Sequence, residues 1–324
     1  MEAIINYFSE LNIFHLLGNM PSALTQGLIY GILAIGVFIT FRILNIADLT
    51  VDGSFATGGA VTIMMMLAGY PVWLSLIVAV LAGIAAGAVT GIIHTLLGIP
   101  AILAGILSQL GLYSINLVIM KMSPNRAINS SQRGDLIMTG LNLNRSIIFG
   151  LVIVVLLIAL LYWFFGTELG SAIRATGNNI AMSQAQGINI NYIKILGLAL
   201  SNGIVALAGS LFSQYQGAAD INMGRGMIVI GLAAVIIGEV LGDALFKKRM
   251  NFALRLTFLA VGGIIYQFII SLVLWLELDT NLLKLFTSVV VAIFLAVPYL
   301  KGQKKTSFKR AFRNNLKKSE KENA

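Results

Sequence analysis

The stretch TELGSAIRATGNNIAMSQAQGINI, residues 167–190, is a long polar interruption between strongly apolar runs. Asn178 or Asn179 can cap the amino end of a helix by offering a side-chain oxygen to free backbone N–H groups. Gly187 can take the left-handed conformation that ends a helix. About two helical turns lie between these signals. The stretch therefore predicts a short helix that is too polar to cross a bilayer.

This short helix would carry Ile180 and Met182 among small polar residues. An exposed helix has no core of its own in which to bury them, so they are candidates for contact with a partner protein. The preceding ELGSAIRA can form another short turn that carries Arg174. Residues 167–190 are thus predicted to be a docking loop rather than a solvated connector.

The composition is that of a membrane protein. The chain has 324 residues, of which 58% are hydrophobic and 11% charged, whereas about a quarter of the residues in soluble domains are charged. The formal charge is +9, but residues 301–324 hold nine Lys or Arg against two Glu and so account for +7 of it. This tail favours the cytoplasmic side and anionic lipid as its partner, and no nucleic-acid partner is expected.

Apolar runs of about 20 residues predict an all-α, polytopic membrane protein with nine spans. The second run contains Asp48, Asp52 and paired glycines, which indicate a broken or partly re-entrant helix. Residues 1–20 are interpreted as an interfacial amphipathic helix, 21–300 as the transmembrane domain and 301–324 as a basic cytoplasmic tail. The predicted spans are 21–41, 50–68, 72–97, 100–121, 145–166, 191–217, 226–246, 253–274 and 281–300.

The distribution of basic residues predicts the orientation in a cell (plasma) membrane. The tail and the basic cluster 247–249 lie on one side, which the positive-inside rule assigns to the cytoplasm. Counting the nine predicted spans back from the tail places residues 167–190 on the cytoplasmic side as well and the amino terminus outside the cell. The same count places the segment 121–145 outside the cell. This segment contains four basic residues and one Asp, so the positive-inside rule would instead assign it to the cytoplasm.

Three stretches resemble the permease subunits of bacterial ABC importers, in the group that includes the ribose and branched-chain amino acid permeases. The residues that match the cytoplasmic coupling loop of that group are Gly170, Arg174, Ala175, Gly177, Asn179, Gly187, Ile188 and Asn189. The segment 45–60 is similar to the group's polar, glycine-rich second span, and 231–244 is similar to its late AAVxxG segment. Together the stretches cover most of the chain.

The resemblance implies a transport subunit rather than an enzyme. It implies a dimer with a second copy or a homologue, two ATPase subunits that hold ATP and Mg, an extracellular substrate-binding protein, and no cofactor on this chain. It assigns the contact with the ATPase to Glu168, Arg174, Gly177, Asn178, Asn179, Ile180, Met182, Gly187 and Asn189. An amino acid is the expected cargo, with aromatic amino acids among the candidates, and sugars and nucleosides stay open as alternatives.

Polar side chains inside spans suggest a translocation path because they are costly in lipid, although such groups also hold helices together. The candidates are Gln26, Tyr30, Asp48, Asp52, Gln109, Asn116, Asn202 and Gln267. The small residues Gly83, Gly87 and Gly91 lie along one face of a predicted helix and indicate close helix packing.

Other functions find less support in the sequence. No Gly-x-x-x-x-Gly-Lys-Ser/Thr loop occurs, so the chain does not hydrolyse ATP by that route. His15 and His94 have no second ligand three or four residues away, so a metal site is not expected. The alternative is an ion-coupled secondary transporter, which would use a carboxylate near the middle of the membrane. Asp48 and Asp52 are the nearest candidates for that carboxylate.

Overall fold

A computed structural model of the chain describes residues 13–129, 136–246 and 250–275, and five isolated residues between 285 and 296. The helices of this part are α1 Ile13–Phe38, α2 Thr50–Leu67, α3 Val72–Thr95, α4 Ala101–Ile119, α5 Leu143–Gly166, α6 Glu168–Asn178, α7 Ile180–Ala185, α8 Ile190–Gln216, α9 Met227–Phe246 and α10 Phe252–Trp275. A π-helical turn, Ile39–Ile43, extends α1, and the short strands β1 Asn125–Ala127 and β2 Ala218–Asp220 pair antiparallel. These helices belong to a compact unit that ends at Leu278.

Eight of the nine predicted spans correspond to long helices of this unit. Seven helices in the described ranges are long and apolar enough to cross a membrane, and α2 is not among them. The count of nine spans is not confirmed, because residues 281–300 lie almost wholly outside the described part of the chain. Residues 1–12, the cluster 247–249 and the tail 301–324 also lie outside it. Helix α1 runs past position 20 without a break.

The prediction of a broken or partly re-entrant second span is not confirmed. Helix α2 is continuous from Thr50 to Leu67, and the irregular backbone lies before it, at residues 44–49. The polar residues that suggested a break have partners instead: Asp48 Oδ1 accepts the Thr50 N–H (2.9 Å), and Asp52 binds backbone N–H groups at the start of α9. A polar group whose hydrogen bonds are satisfied elsewhere does not interrupt its own helix.

The helices form an inner and an outer set. Most residues are buried in the apolar stretches of α1 (83%) and α8 (78%), whereas between 22% and 44% are buried in the corresponding stretches of α3, α4, α5, α9 and α10. Helix α2 is also buried on nearly all sides and packs against α3, α4 and α8. The outer helices therefore cover α1, α2 and α8 and turn an apolar face outward, as membrane helices do.

Small residues let α3 approach α8 closely, as their spacing predicted. A side chain at Gly87 would overlap the backbone carbonyl of Leu198, and a Cβ at Gly91 would lie 2.7 Å from the Ile195 Cα. A Cβ at Gly83 would also be too close to atoms of α8. Helices associate in lipid largely through such close backbone contact, so this face of α3 is explained by packing.

The contact between α2 and α8 is as close as the contact between α3 and α8. A Cβ at Gly58 of α2 would overlap the carbonyl of Ala206, and a Cβ at Gly209 of α8 would overlap the carbonyl of Phe55. The two helices thus meet backbone to backbone at two levels, with glycine supplied once by each helix. No larger residue fits either position without moving a helix.

A buried polar network joins three helices at the start of α2. Asn202 Nδ2 donates to Asp48 Oδ2 (2.6 Å), and Ser54 Oγ donates to Asn202 Oδ1 (2.7 Å). The hydroxyls of Thr50 and Thr90 share a hydrogen bond of 2.8 Å. All five side chains are at most 3% exposed. The network ties α2 to α8 and α3 at the point where the chain leaves its irregular segment.

We expect Gly209→Ala to destabilise the protein by about 1–3 kcal/mol or more, because the added methyl group must displace the Phe55 carbonyl. Gly111→Ala is the matched control, since a Cβ there meets nothing within 4 Å on the exposed side of α4. That substitution should stabilise its helix by about 1 kcal/mol. Melting temperatures in one detergent test this, and equal values for the two variants would contradict the packing described.

We expect Asn202→Ala to cost at least about 2 kcal/mol, because it removes the hydrogen-bond partners of Asp48 Oδ2 and Ser54 Oγ in a buried site. Ser201→Ala is the control, since that neighbouring side chain is equally buried but donates one hydrogen bond, to the Gly36 carbonyl (2.8 Å). Chemical or thermal unfolding of the two variants in nanodiscs compares the costs. A larger loss for Ser201→Ala would show that the network does not stabilise the bundle.

Candidate functional site

Two short helices, α6 and α7, form the stretch that decided the sequence analysis. Asn178 is the last residue of α6, and Asn179 caps α7, where its Oδ1 accepts the Met182 N–H (3.1 Å). Gly187 follows α7 with a φ of +80°, in the left-handed region. Both local signals are therefore confirmed, with Asn179 rather than Asn178 as the cap.

Helix α7 carries two large apolar side chains that are exposed. Ile180 and Met182 are 49% and 61% exposed, and Ser183 faces inward. Asn189 then begins α8 by accepting the Tyr192 N–H at 3.2 Å. Because capping groups fix both ends of this connection, Ile180 and Met182 are presented on an ordered surface.

Helix α6 is wedged against the ends of α1 and α5. A Cβ at Gly177 would overlap the carbonyl of Ile43, the last residue of the π-helical turn. Arg174 donates to the Phe165 carbonyl (2.8 Å), and Ile173 is fully buried. Glu168, in the first turn, is exposed. A displacement of α6 therefore acts directly on the end of α1, since no side chain separates the two backbones.

A cavity of about 660 Å³ lies between α6, the end of α1, α9 and α10. Its lining includes Arg174, Asp243, Arg255 and an ion pair in which Arg42 donates to Glu239 (2.5 Å). This pair is not predictable from local sequence patterns, because its members are 197 positions apart. The pair connects α1 to α9 beside the segment that α6 contacts.

Three of the candidate path residues line one cavity of about 240 Å³. Asp52, Gln109 and Asn116 lie there together with Tyr113 and Arg225. Asn116 is 1% exposed, and its Oδ1 has no hydrogen-bond partner within the described part of the protein. The lining of the cavity therefore includes an asparagine, one carboxylate and one guanidinium.

Asp52 also holds the start of α9. Its Oδ2 accepts the Gly226 N–H (3.0 Å), and its Oδ1 accepts the Ile228 N–H (2.9 Å). A carboxylate is favourable at a helix amino terminus, where N–H groups are free and the helix dipole is positive. Arg225, next to this terminus, was missed by the sequence analysis, although an arginine between two glycines and before an apolar run is a visible signal.

Three other candidates make contacts between helices. Gln267 Nε2 donates to Gln26 Oε1 (2.9 Å), which joins α10 to α1. Tyr30 is 7% exposed and lies between Phe212 and Tyr266, with ring centroids 6.0 and 6.3 Å away. None of the three lines the cavity that contains Asp52. Their positions are those expected of groups that hold helices together.

Asp48 and Asn202 belong to the polar network of the bundle rather than to the Asp52 cavity. The eight candidates are thus divided among a cavity, a network and two interhelical contacts. No group of three His, Asp or Glu residues that could hold a metal ion occurs in the described ranges.

Comparisons with known proteins show the family to which the chain belongs. Residues 19–298 match the family described as the permease component of the branched-chain amino acid transport system. A tyrosine transport system permease protein of Clostridioides difficile is 39% identical over 92% of this chain and 97% of its own length. A ribose import permease of Haemophilus influenzae is 29% identical over 69% of this chain and 70% of its own length.

A solved structure, PsaBC from Streptococcus pneumoniae in complex with Fab, aligns with 91% of this chain and 94% of its own at 14% identity and a TM-score of 0.49. The family match extends over nearly all the described helices, and the tyrosine transport permease is similar along almost its full length. The chain therefore belongs to the ABC transporter permease family of branched-chain amino acid transport systems, and it is a multi-pass membrane transport subunit rather than an enzyme.

Proposed function

We propose that the chain carries an amino acid across the plasma membrane as the permease subunit of an ABC importer. The observation that carries the proposal is the surface of α7, where Ile180 and Met182 are exposed on a helix fixed by its caps. An ordered apolar surface outside the bilayer is a site for a protein partner. The amino-acid cargo is supported by the relative named as a tyrosine transport permease.

The energy source in this proposal is a pair of partner ATPase subunits that hold ATP and Mg. The sequence has no phosphate-binding loop of the Walker type, and ATP hydrolysis by that route needs one. The wedge of Gly177 against Ile43 provides the mechanical connection, because movement of α6 by a docked subunit would displace α1. The carboxyl terminus and α7 are then cytoplasmic, and the amino terminus is outside.

The remaining partners follow from the same proposal. A second copy of the chain, or a homologue, completes the membrane part, and an extracellular binding protein delivers the substrate. The outer helices turn apolar side chains outward, including Leu103 and Leu107 on α4 and Leu156 on α5. Such a surface suits either lipid or a second permease subunit.

Transport should require the ATPase. We expect proteoliposomes that contain the chain alone to accumulate no amino acid under a proton or sodium gradient, because the proposed energy source is absent. Adding the co-purified ATPase, binding protein and ATP should start uptake of labelled tyrosine. Gradient-driven accumulation by the chain alone would overturn the proposal in favour of the secondary transporter.

Met182→Glu should weaken binding of the ATPase or uncouple its hydrolysis from transport. Burying a side chain of this size contributes about 1.5–3 kcal/mol, and a buried carboxylate adds a desolvation cost. The bundle should stay folded because Met182 is exposed. Co-purification of the ATPase and substrate-stimulated ATP hydrolysis measure the two effects.

Gln184→Glu is the matched control, since it adds the same charge to α7 without removing an apolar side chain. It should impair docking less than Met182→Glu does. If both variants dock and stimulate hydrolysis like the unchanged chain, this surface of α7 is not where the ATPase binds.

A further inference from the structure

We infer that the cavity lined by Asp52, Gln109, Tyr113, Asn116 and Arg225 is a binding subsite for a free α-amino acid in its zwitterionic form. The inference rests on the proposed function and adds to it the residues that recognise the two charged groups of the substrate. It concerns one cavity of about 240 Å³, which is below the roughly 300 Å³ at which sites for drug-sized ligands begin. That size suits a single amino acid.

The acceptors in the cavity match an ammonium group. Asn116 is 1% exposed and its Oδ1 has no hydrogen-bond partner in the described part of the protein, which is costly unless a ligand supplies a donor. Each Asp52 oxygen accepts one backbone N–H and keeps a further lone pair. An ammonium group has three donors and no acceptor, so it can donate to the free lone pairs of Asp52.

Arg225 supplies the opposite charge for a carboxylate. Its side chain is exposed and forms no ion pair with any residue in the described ranges. A guanidinium binds a carboxylate through two parallel hydrogen bonds, which gives both affinity and orientation. The positive charge lies one residue before Gly226, whose N–H binds Asp52, so both signs of charge occur around the start of α9.

The rest of the lining is suited to the side chain of the substrate. Tyr113 is 43% exposed and Leu110 64% exposed, and both line this cavity from α4. An aromatic ring and an aliphatic side chain favour an apolar or aromatic group. An uncharged sugar would leave Asp52 and Arg225 without a charged partner while displacing their water, which is unfavourable.

The test uses a cysteine placed at the edge of the cavity. The chain has no cysteine, so Leu110→Cys provides a single reactive site and leaves Asp52 and Arg225, the two proposed charged contacts, in place. The full-length chain in nanodiscs is labelled with a neutral, water-soluble thiol reagent in the presence of tyrosine, tyramine, 3-(4-hydroxyphenyl)propanoate or ribose. Tyrosine should slow labelling at lower concentration than the other three, since it alone carries both charges.

Arg225→Gln in the same background should raise the concentration of tyrosine needed for protection about tenfold or more, the effect of losing a charged hydrogen bond. Protection by tyramine, which has no carboxylate, should not change. Arg145→Gln, which removes an exposed arginine at the start of α5, is the control and should change neither. Arg225→Lys should recover part of the affinity, because it restores the charge without the planar geometry.

Several outcomes would overturn the subsite. They are equal protection by tyrosine and tyramine, preferential protection by ribose, no protection by any of the four compounds, or no effect of Arg225→Gln. A separate measurement distinguishes failure of the subsite from failure of the proposed function. If vesicles with the complete transporter show ATP-driven tyrosine uptake that Arg225→Gln leaves unchanged, the subsite alone is wrong, whereas the absence of ATP-driven uptake by the unchanged chain refutes the proposed function.

Discussion

The backbone contact between α2 and α8 is the constraint on which the rest of the bundle depends. Gly58 and Gly209 let the two helices meet without intervening side chains, and the network around Asn202 closes the same interface with hydrogen bonds. In lipid, helices gain little from excluding water, so close packing and buried hydrogen bonds must supply the stability. The glycines on α3 continue this arrangement on the next side of α8, and the outer helices then surround a core whose dimensions are already fixed.

The close packing extends to the segment that the proposed function assigns to the ATPase. Gly177 lies against the Ile43 carbonyl just as Gly209 lies against the Phe55 carbonyl. Because no flexible side chain lies between the two backbones, a displacement of one helix is transmitted directly to the other. The π-helical turn that ends at Ile43 is a local departure from regular hydrogen bonding, and such turns occur frequently at functional sites. The end of α1 thus combines a rigid contact with an irregular backbone, next to the Arg42–Glu239 ion pair.

Local features were predictable from the sequence, and those that depend on distant partners were not. The spans follow from apolar runs, and the ends of α7 follow from Asn179 and Gly187, because these signals act within a few residues. From the sequence alone Asp48 and Asp52 indicate a break in the second span, because their partners Asn202 and Gly226 are more than 150 positions away. The candidate path residues show the same dependence on distant partners. Polarity identifies side chains that are unfavourable in lipid, but it does not predict which of them line the same cavity.

Asp52 has a consequence for how the cavity and the helices influence each other. Its two oxygens hold the start of α9 on one side and line the cavity on the other. A ligand in the cavity that donates hydrogen bonds to these oxygens alters the bonds that they accept from Gly226 and Ile228. Conversely, a shift of α9 alters the position of the Asp52 charge that faces the cavity. Thermodynamic linkage makes this coupling reciprocal: the free energy by which an occupant biases the position of α9 equals that by which the position of α9 biases occupancy. Because α9 also carries Glu239, about three helical turns after its start, a single rigid helix connects the cavity at Asp52 to the Arg42 ion pair.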